Sequence, residues 1–267
     1  MSAIASSAAP ESVLQVQVDR SIAVLTLNRP TQYNSLSAEL LSALQRALDE
    51  ISADESIQVV IIAANGKAFC AGHDLKEMRS REDRTFHQDL FDRCARMMLT
   101  INRMPQPVIA QVQGIATAAG CQLVAACDLA VAAESARFAV SGINLGLFCS
   151  SPAVPLSRNV NRKQAMKMLL TGDFIDAHTA REYGLVNDVV PHADLGRATR
   201  ELAERIAAKS PLSIRLGKKM FYAQLVMDLE AACRFASERM TCNMDTDDAR
   251  EGIDAFIEKR KPTWRGR

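Results

Sequence analysis

The 267-residue chain reads as an α/β fold with a mainly parallel sheet. Three observations point there. Apolar runs at 59–63, Val108–Val112 and Leu129–Ala133 have the length of strands buried on both faces. Stretches with helical spacing alternate with them. After about Arg197 the pattern becomes helical and stays so to the end.

In chain order, residues 13–18 and Ile22–Leu27 alternate apolar and polar positions around Asp19-Arg20, as two antiparallel strands do. Ser37 is placed to cap a helix whose apolar stripe is Leu40, Leu41, Leu44, Leu48 and Ile51. A second helical pattern covers 82–103, and Pro105 and Pro107 end it. Residues 116–126 read as a loop passing into a helix. Further on, Ser151 is a candidate cap with Pro152 at the first helical position, and Pro211 can open a later helix. The expected organisation is a frayed tail at 1–12, an α/β core at 13–196 and a helical region at 197–267. That helical region can pack on its own core or on a neighbouring subunit.

Lysine and arginine number 32 against 31 acidic residues, so nothing calls for nucleic acid or an anionic membrane as partner. The seven cysteines are odd in number and none forms a CxxC pair, which argues against a zinc site or a disulfide framework. No metal and no separate cofactor is expected. The small, polar first ten residues lack the features of a transit peptide or a secretory signal, so the expected compartment is the cytoplasm.

Two strand-to-helix junctions carry the chemistry. The first is Phe69-Cys70-Ala71-Gly72-His73-Asp74-Leu75-Lys76, where a helix starting near Asp74 is expected to offer free amides. The second runs from Gly114 to Ala118-Ala119-Gly120-Cys121-Gln122, whose small side chains let a ligand approach the backbone. Two such amides converging on one carbonyl oxygen make an oxyanion hole. From spacing alone, two ordinary α/β turns with glycines for geometry remain an open alternative.

The stretches LNRPTQYNSL, FCAGHDLKEM, PVIAQVQGIATAAGCQLVAACD, TGDFIDAHTAREYGLVNDVV and EGIDAFIEKRKPTW resemble, in order and spacing, the motifs of the crotonase (enoyl-CoA hydratase/isomerase) superfamily. The resemblance covers nearly the whole chain. Its GHDLKE, GCQLVA and GLFCSSP segments look most like the enoyl-CoA hydratase domain-containing protein 3 branch. It implies a spiral of ββα units, a C-terminal trimerisation region and a homotrimer or dimer of trimers. It also implies an acyl-CoA ligand, with coenzyme A as part of the substrate, and stabilisation of a thioester enolate. By position, the oxyanion amides are those of His73 and Ala119. Asp74, Leu75, Lys76 and Gly120 would line the CoA, and Phe256 and Lys259 match positions that can reach a neighbour's CoA.

The sequence departs from that family where its hydratases carry two glutamates. Gln122 and Gly142 stand there instead. A glutamine amide shuttles no proton near neutral pH, and glycine has no side chain. Replacement candidates are Cys149, whose thiol pKa a helix start could lower, Ser150 and His87. The plainer readings of Cys149 and His87 are a buried inert thiol and an ordinary surface or core residue of a helix. The functions weighed are therefore an acyl-CoA lyase or isomerase with unusual acid–base groups, a non-catalytic acyl-CoA binder, and an ordinary hydratase.

Overall fold

A computed structural model describes residues 12–81 and 83–267. The frayed tail read at 1–12 lies outside them except for its last residue, as does the Glu82 start of the second helical pattern.

The strands are β1 (Leu14–Asp19), β2 (Ile22–Leu27), β3 (Val59–Ala64), β4 (Ala68–Cys70), β5 (Val108–Val112), β6 (Ile115–Thr117), β7 (Leu129–Ala133), β8 (Arg137–Ala139), β9 (Ile175–Asp176) and β10 (Asp188–Val190). The helices are α1 (Ala38–Ala53), α2 (Leu75–Ser80), α3 (Arg84–Arg103), α4 (Ala119–Ala126), α5 (Ser150–Asn159), α6 (Arg162–Thr171), α7 (Ala177–Glu182), α8 (Leu195–Ala207), α9 (Pro211–Gln224), α10 (Leu229–Met244) and α11 (Asp247–Ile257).

Two sheets form. The larger has the order β1-β2-β3-β5-β7-β10, antiparallel between β1 and β2 and parallel elsewhere. The smaller has the order β4-β6-β8-β9, antiparallel only between β8 and β9. Successive strands β3 and β4, β5 and β6, and β7 and β8 therefore go one to each sheet, and helices follow each pair. This is the ββα spiral that the family resemblance implied.

The expected α1 cap is present: Ser37 Oγ accepts the Leu40 N–H at 3.2 Å. Its stripe is buried together with strand residues Leu25, Leu27, Val60 and Ile62 and with Met97 and Ile101 of α3. Each such aliphatic side chain contributes about 1.5–3 kcal/mol on burial. Leu195 and Ala203 of α8 cover a second patch, made by Ile22, Val59, Ile61, Ile109 and Val131. The larger sheet is thus covered on both faces, which explains why its central strands are continuous apolar runs.

A buried ion pair ties the C-terminal helices to this core. Lys218 Nζ of α9 lies 2.6 Å from Asp128 Oδ2 and donates to the carbonyls of Ile101 and Gln106 at 2.8 Å each. Tyr222 Oη donates to Asp128 Oδ1, and the Val108 N–H to Asp128 Oδ2. Pro211 stands at the start of α9, behind the Ser210 cap, as its residue type suggested.

One expected boundary is corrected. The helix after Phe148 begins at Ser150, with Cys149 rather than Ser151 at its cap. Ala153 N–H bonds back to the Cys149 carbonyl at 2.9 Å, so the first turn closes two residues early. Pro152 is tolerated there because first-turn N–H groups need no helical acceptor.

Candidate acyl-thioester site

The two junctions meet through glycine. Gly72 follows β4 with φ +92°, and a Cβ on it would lie 3.0 Å from Ala118 Cβ and 3.3 Å from the Ala119 nitrogen. A Cβ on Gly120 would lie 2.0 Å from the Cys70 carbonyl oxygen, so no other residue fits where α4 starts against β4. Ala118, immediately before α4, has φ 50° and ψ −119°, a strained conformation for a residue with a side chain.

The direction of the His73 amide follows from its strand partner. Leu36 N–H donates to the Gly72 carbonyl at 2.7 Å, and Asp74 N–H donates to the Leu36 carbonyl at 3.3 Å. These bonds bracket His73 in a parallel bridge. Adjacent backbone groups of an extended segment point to opposite sides, so the His73 N–H faces away from Leu36. Ala119 opens α4, where first-turn amides lack intrahelical acceptors.

The expectation of free amides at the start of α2 is corrected. Asp74 Oδ1 accepts the N–H groups of Lys76 and Glu77 at 3.1 and 3.3 Å, which caps that turn with its own side chain. Asp74 Oδ2 pairs with Arg29 at 3.0 Å and accepts from Ser35 Oγ at 3.3 Å. Burial would raise the Asp74 carboxyl, but Arg29 and the two amides together hold it below the ordinary range. Leu75 and Lys76 are exposed.

The His73 ring packs edge-on against Phe91 of α3, with centroids 5.4 Å apart. Burial lowers its pKa, although the Leu36 backbone and Glu77 pull the other way, so the ring is neutral at pH 7. Its Nδ1 is buried and has no partner among the described residues. Gln122 of α4 is only 4% exposed, and its Oε1 likewise has no partner there.

Gly142 and Cys149 are brought together. The Gly142 N–H donates to Cys149 Sγ at 3.2 Å. The expected lowering of the Cys149 thiol pKa is corrected. Burial pushes it up and the Gly142 N–H offsets only part of this, so the thiol is protonated near neutral pH. Ser150 is exposed, and its hydroxyl donates to the Phe148 carbonyl at 3.4 Å. His87 Nε2 lies 3.0 Å from the Met78 carbonyl. A carbonyl only accepts, so that nitrogen carries the ring proton and binds α3 to the end of α2. Phe256 stands in the last turn of α11, which packs on α9 and α10, and Lys259 lies two residues beyond that helix; Phe256 is 84% exposed.

Sequence reasoning assigned no role to Arg29 or Asn34. Asn34 is fully buried with φ 53°, accepts the Arg29 N–H through Oδ1 and donates to the carbonyls of Asn65 and Ala68. The signal was an Asn four residues after Arg-Pro, a residue type that tolerates left-handed backbone.

The ββα spiral and its two strand-to-helix junctions, brought together at Gly72, define the class of fold, that of the crotonase-like α/β proteins. The chain belongs to the enoyl-CoA hydratase/isomerase family, whose profile matches residues 17–267. It is 44% identical over 249 residues to the Xenopus laevis protein named enoyl-CoA hydratase domain-containing protein 3, mitochondrial, covering 93% of this chain and 85% of that one. The crystal structure of human enoyl-CoA hydratase domain-containing protein 3 superposes with a TM-score of 0.92 at 43% identity, covering 94% of this chain and 100% of that one. An enoyl-CoA hydratase structure from Mycobacterium smegmatis gives 0.94 at 52% identity, with 95% and 99% covered. The cytoplasmic assignment read from the N-terminal residues is corrected by these relatives, since the vertebrate ones are named as mitochondrial proteins.

Proposed function

We propose that the chain binds acyl-CoA and polarises the thioester carbonyl between the amides of His73 and Ala119, stabilising an enolate. The observation that carries this reading is the Gly72 backbone lying against Ala118 and Ala119, with the His73 N–H turned away from Leu36. Two donors aimed at one developing oxyanion typically contribute about 3–4 kcal/mol each to the transition state. Asp74, Leu75, Lys76 and Gly120 line the CoA path. Coenzyme A enters as part of the substrate, and no separate cofactor is required.

The chemistry is of the acyl-CoA lyase or isomerase type, without ordinary hydration. Gln122 and Gly142 supply no proton carrier. Cys149, Ser150 and His87 are each engaged with backbone groups, which favours a second reading as a non-catalytic acyl-CoA binder. The core of 13–196 would hold the ligand, and the helical region of 197–267 would assemble the chain as a homotrimer or dimer of trimers.

Calorimetry with acetoacetyl-CoA and with free acetoacetate tests the binding claim. The thioester should bind and the acid should not. Equal or absent binding of both removes the reading.

A further inference from the structure

We infer that Arg29 is a positioning residue for the His73 amide, acting through Asp74; this rests on the oxyanion role proposed for that amide. The His73 N–H sits in an extended segment that has no helix of its own to fix it. What fixes it is the neighbouring segment from Arg29 to Ala38. Tyr33 accepts the Ala71 N–H at 3.0 Å, Leu36 makes its two bonds around His73, and the Ala38 N–H donates to Glu77 Oε2 at 2.9 Å. Each of these contacts holds one point on the track. Arg29 joins Ser35 of that segment to Asp74.

The Arg29 guanidinium does this with a fork. Its NH1 donates to the Ser35 carbonyl and to Ser35 Oγ, and its NH2 donates to Asp74 Oδ2. Asp74 is the residue after His73, and its second oxygen caps α2. The His73 N–H lies in the Gly72–His73 peptide, whose carbonyl accepts from the Leu36 N–H, and the next peptide is held at its Asp74 N–H by the Leu36 carbonyl; the Arg29–Asp74 pair anchors the chain just beyond, so that neither peptide can turn freely about His73. Arg29 is itself held by Asn34 Oδ1 on its own N–H, at 2.8 Å. Both ionic side chains are mostly buried, at 16% and 14% exposed, so the pair is shielded from solvent competition. A planar, rigid donor fork suits this task, whereas a lysine ammonium could satisfy the carboxylate without bracing Ser35. Donors of this kind act only when held within a fraction of an ångström of the developing oxyanion.

The test reads the carbonyl directly. Isotope-edited infrared difference spectra of bound acetyl-CoA report how strongly the thioester C=O is polarised. The wild type should shift that band well below its position in free acetyl-CoA. Arg29→Ala and the milder Arg29→Gln should each lose at least about half of the shift, and Arg29→Lys should recover part of it. Acetoacetyl-CoA affinity should fall roughly tenfold in both weakened variants, while affinity for CoA itself changes less than about twofold. Arg29→Gln decides the matter if the alanine variant does not fold. A wild type with no shift overturns the oxyanion reading. A wild-type shift kept in full by the folded Arg29 variants leaves that reading standing and overturns the role given to Arg29.

Discussion

Cys149 Sγ occupies the space that a side chain at Gly142 would need. The sulfur accepts the Gly142 N–H at 3.2 Å, and a Cβ on Gly142 would fall 2.7 Å from it and 2.7 Å from the Leu147 carbonyl oxygen. The space beside the Gly142 backbone is thus taken by the Cys149 thiol.

Restoring the glutamates is therefore unequal at the two positions. Gln122→Glu changes one buried polar group for a near-isostere and should fold, with a small gain in crotonyl-CoA hydration. Gly142→Glu must push aside both the thiol and a backbone carbonyl, which costs about 1–3 kcal/mol. Urea unfolding should place Gly142→Glu below the wild type by that margin. Adding Cys149→Gly should recover only part of it, because the carbonyl remains. A Gly142→Glu variant as stable as the wild type would contradict this packing.

The Lys218–Asp128 pair offers a separate test of the fold. Asp128→Ala leaves the Lys218 ammonium buried without its counter-ion, and removing one member of such a pair costs about 3–5 kcal/mol. Lys218→Met leaves the Asp128 carboxylate buried but still hydrogen-bonded by the Tyr222 hydroxyl and the Val108 N–H, so its cost should be smaller. Thermal unfolding of the two variants should rank them in that order. Equal, small losses would mean that α9 is held by its apolar contacts alone.

The outline of the fold was legible where burial makes a pattern. Strands β1, β2, β3, β5 and β7 of the larger sheet, the Ser37 cap and the α1 stripe follow from spacing, whereas β10, three residues long, was not read. The smaller sheet was not legible, because Ala68–Cys70, Ile115–Thr117 and Arg137–Ala139 are three residues each, too short to show alternation. At the site, Gln122 and Gly142 were readable only as residue identities. The thiol pKa of Cys149 was not, since a helix start and burial act in opposite directions and only the packing decides which is larger. The Arg29–Asp74 pair joins residues 45 apart in sequence and carries no local signature.

The same pair gives a pH dependence. The Asp74 carboxyl is held below its ordinary value of 3.8, so the folded state binds fewer protons than the unfolded one just below that pH. The stability contributed by Asp74 is then fully present above about pH 5, and it is lost as pH falls through the depressed value. The stability difference between wild type and Asp74→Asn should stay level from about pH 7 to pH 5 and shrink below about pH 4. A difference that already disappears at pH 6 would assign it to another group.

The C-terminal region should assemble. Val226, Leu229, Phe256 and Ile257 are 83%, 81%, 84% and 71% exposed on the single chain. Apolar surface of this kind marks an interaction face. Light scattering should give a trimer or a hexamer at micromolar protein. Phe256→Asp should weaken the assembly and, if Phe256 reaches the next subunit's ligand, lower acetoacetyl-CoA affinity with it. A stable wild-type monomer would count against both.

The most direct measurement is crotonyl-CoA hydration by the wild type, followed alongside crotonyl-CoA binding on the same preparation. Hydration needs one group to take a proton from water and another to deliver one to the α-carbon, and such groups typically supply about 10²–10⁴-fold each. Cooperating groups do not combine additively. With Gln122 and Gly142 in their places, the expected result is saturable binding with only a trace of turnover. Turnover comparable to that of a hydratase carrying both glutamates would contradict the account, because proton carriers would then have to lie elsewhere in this chain.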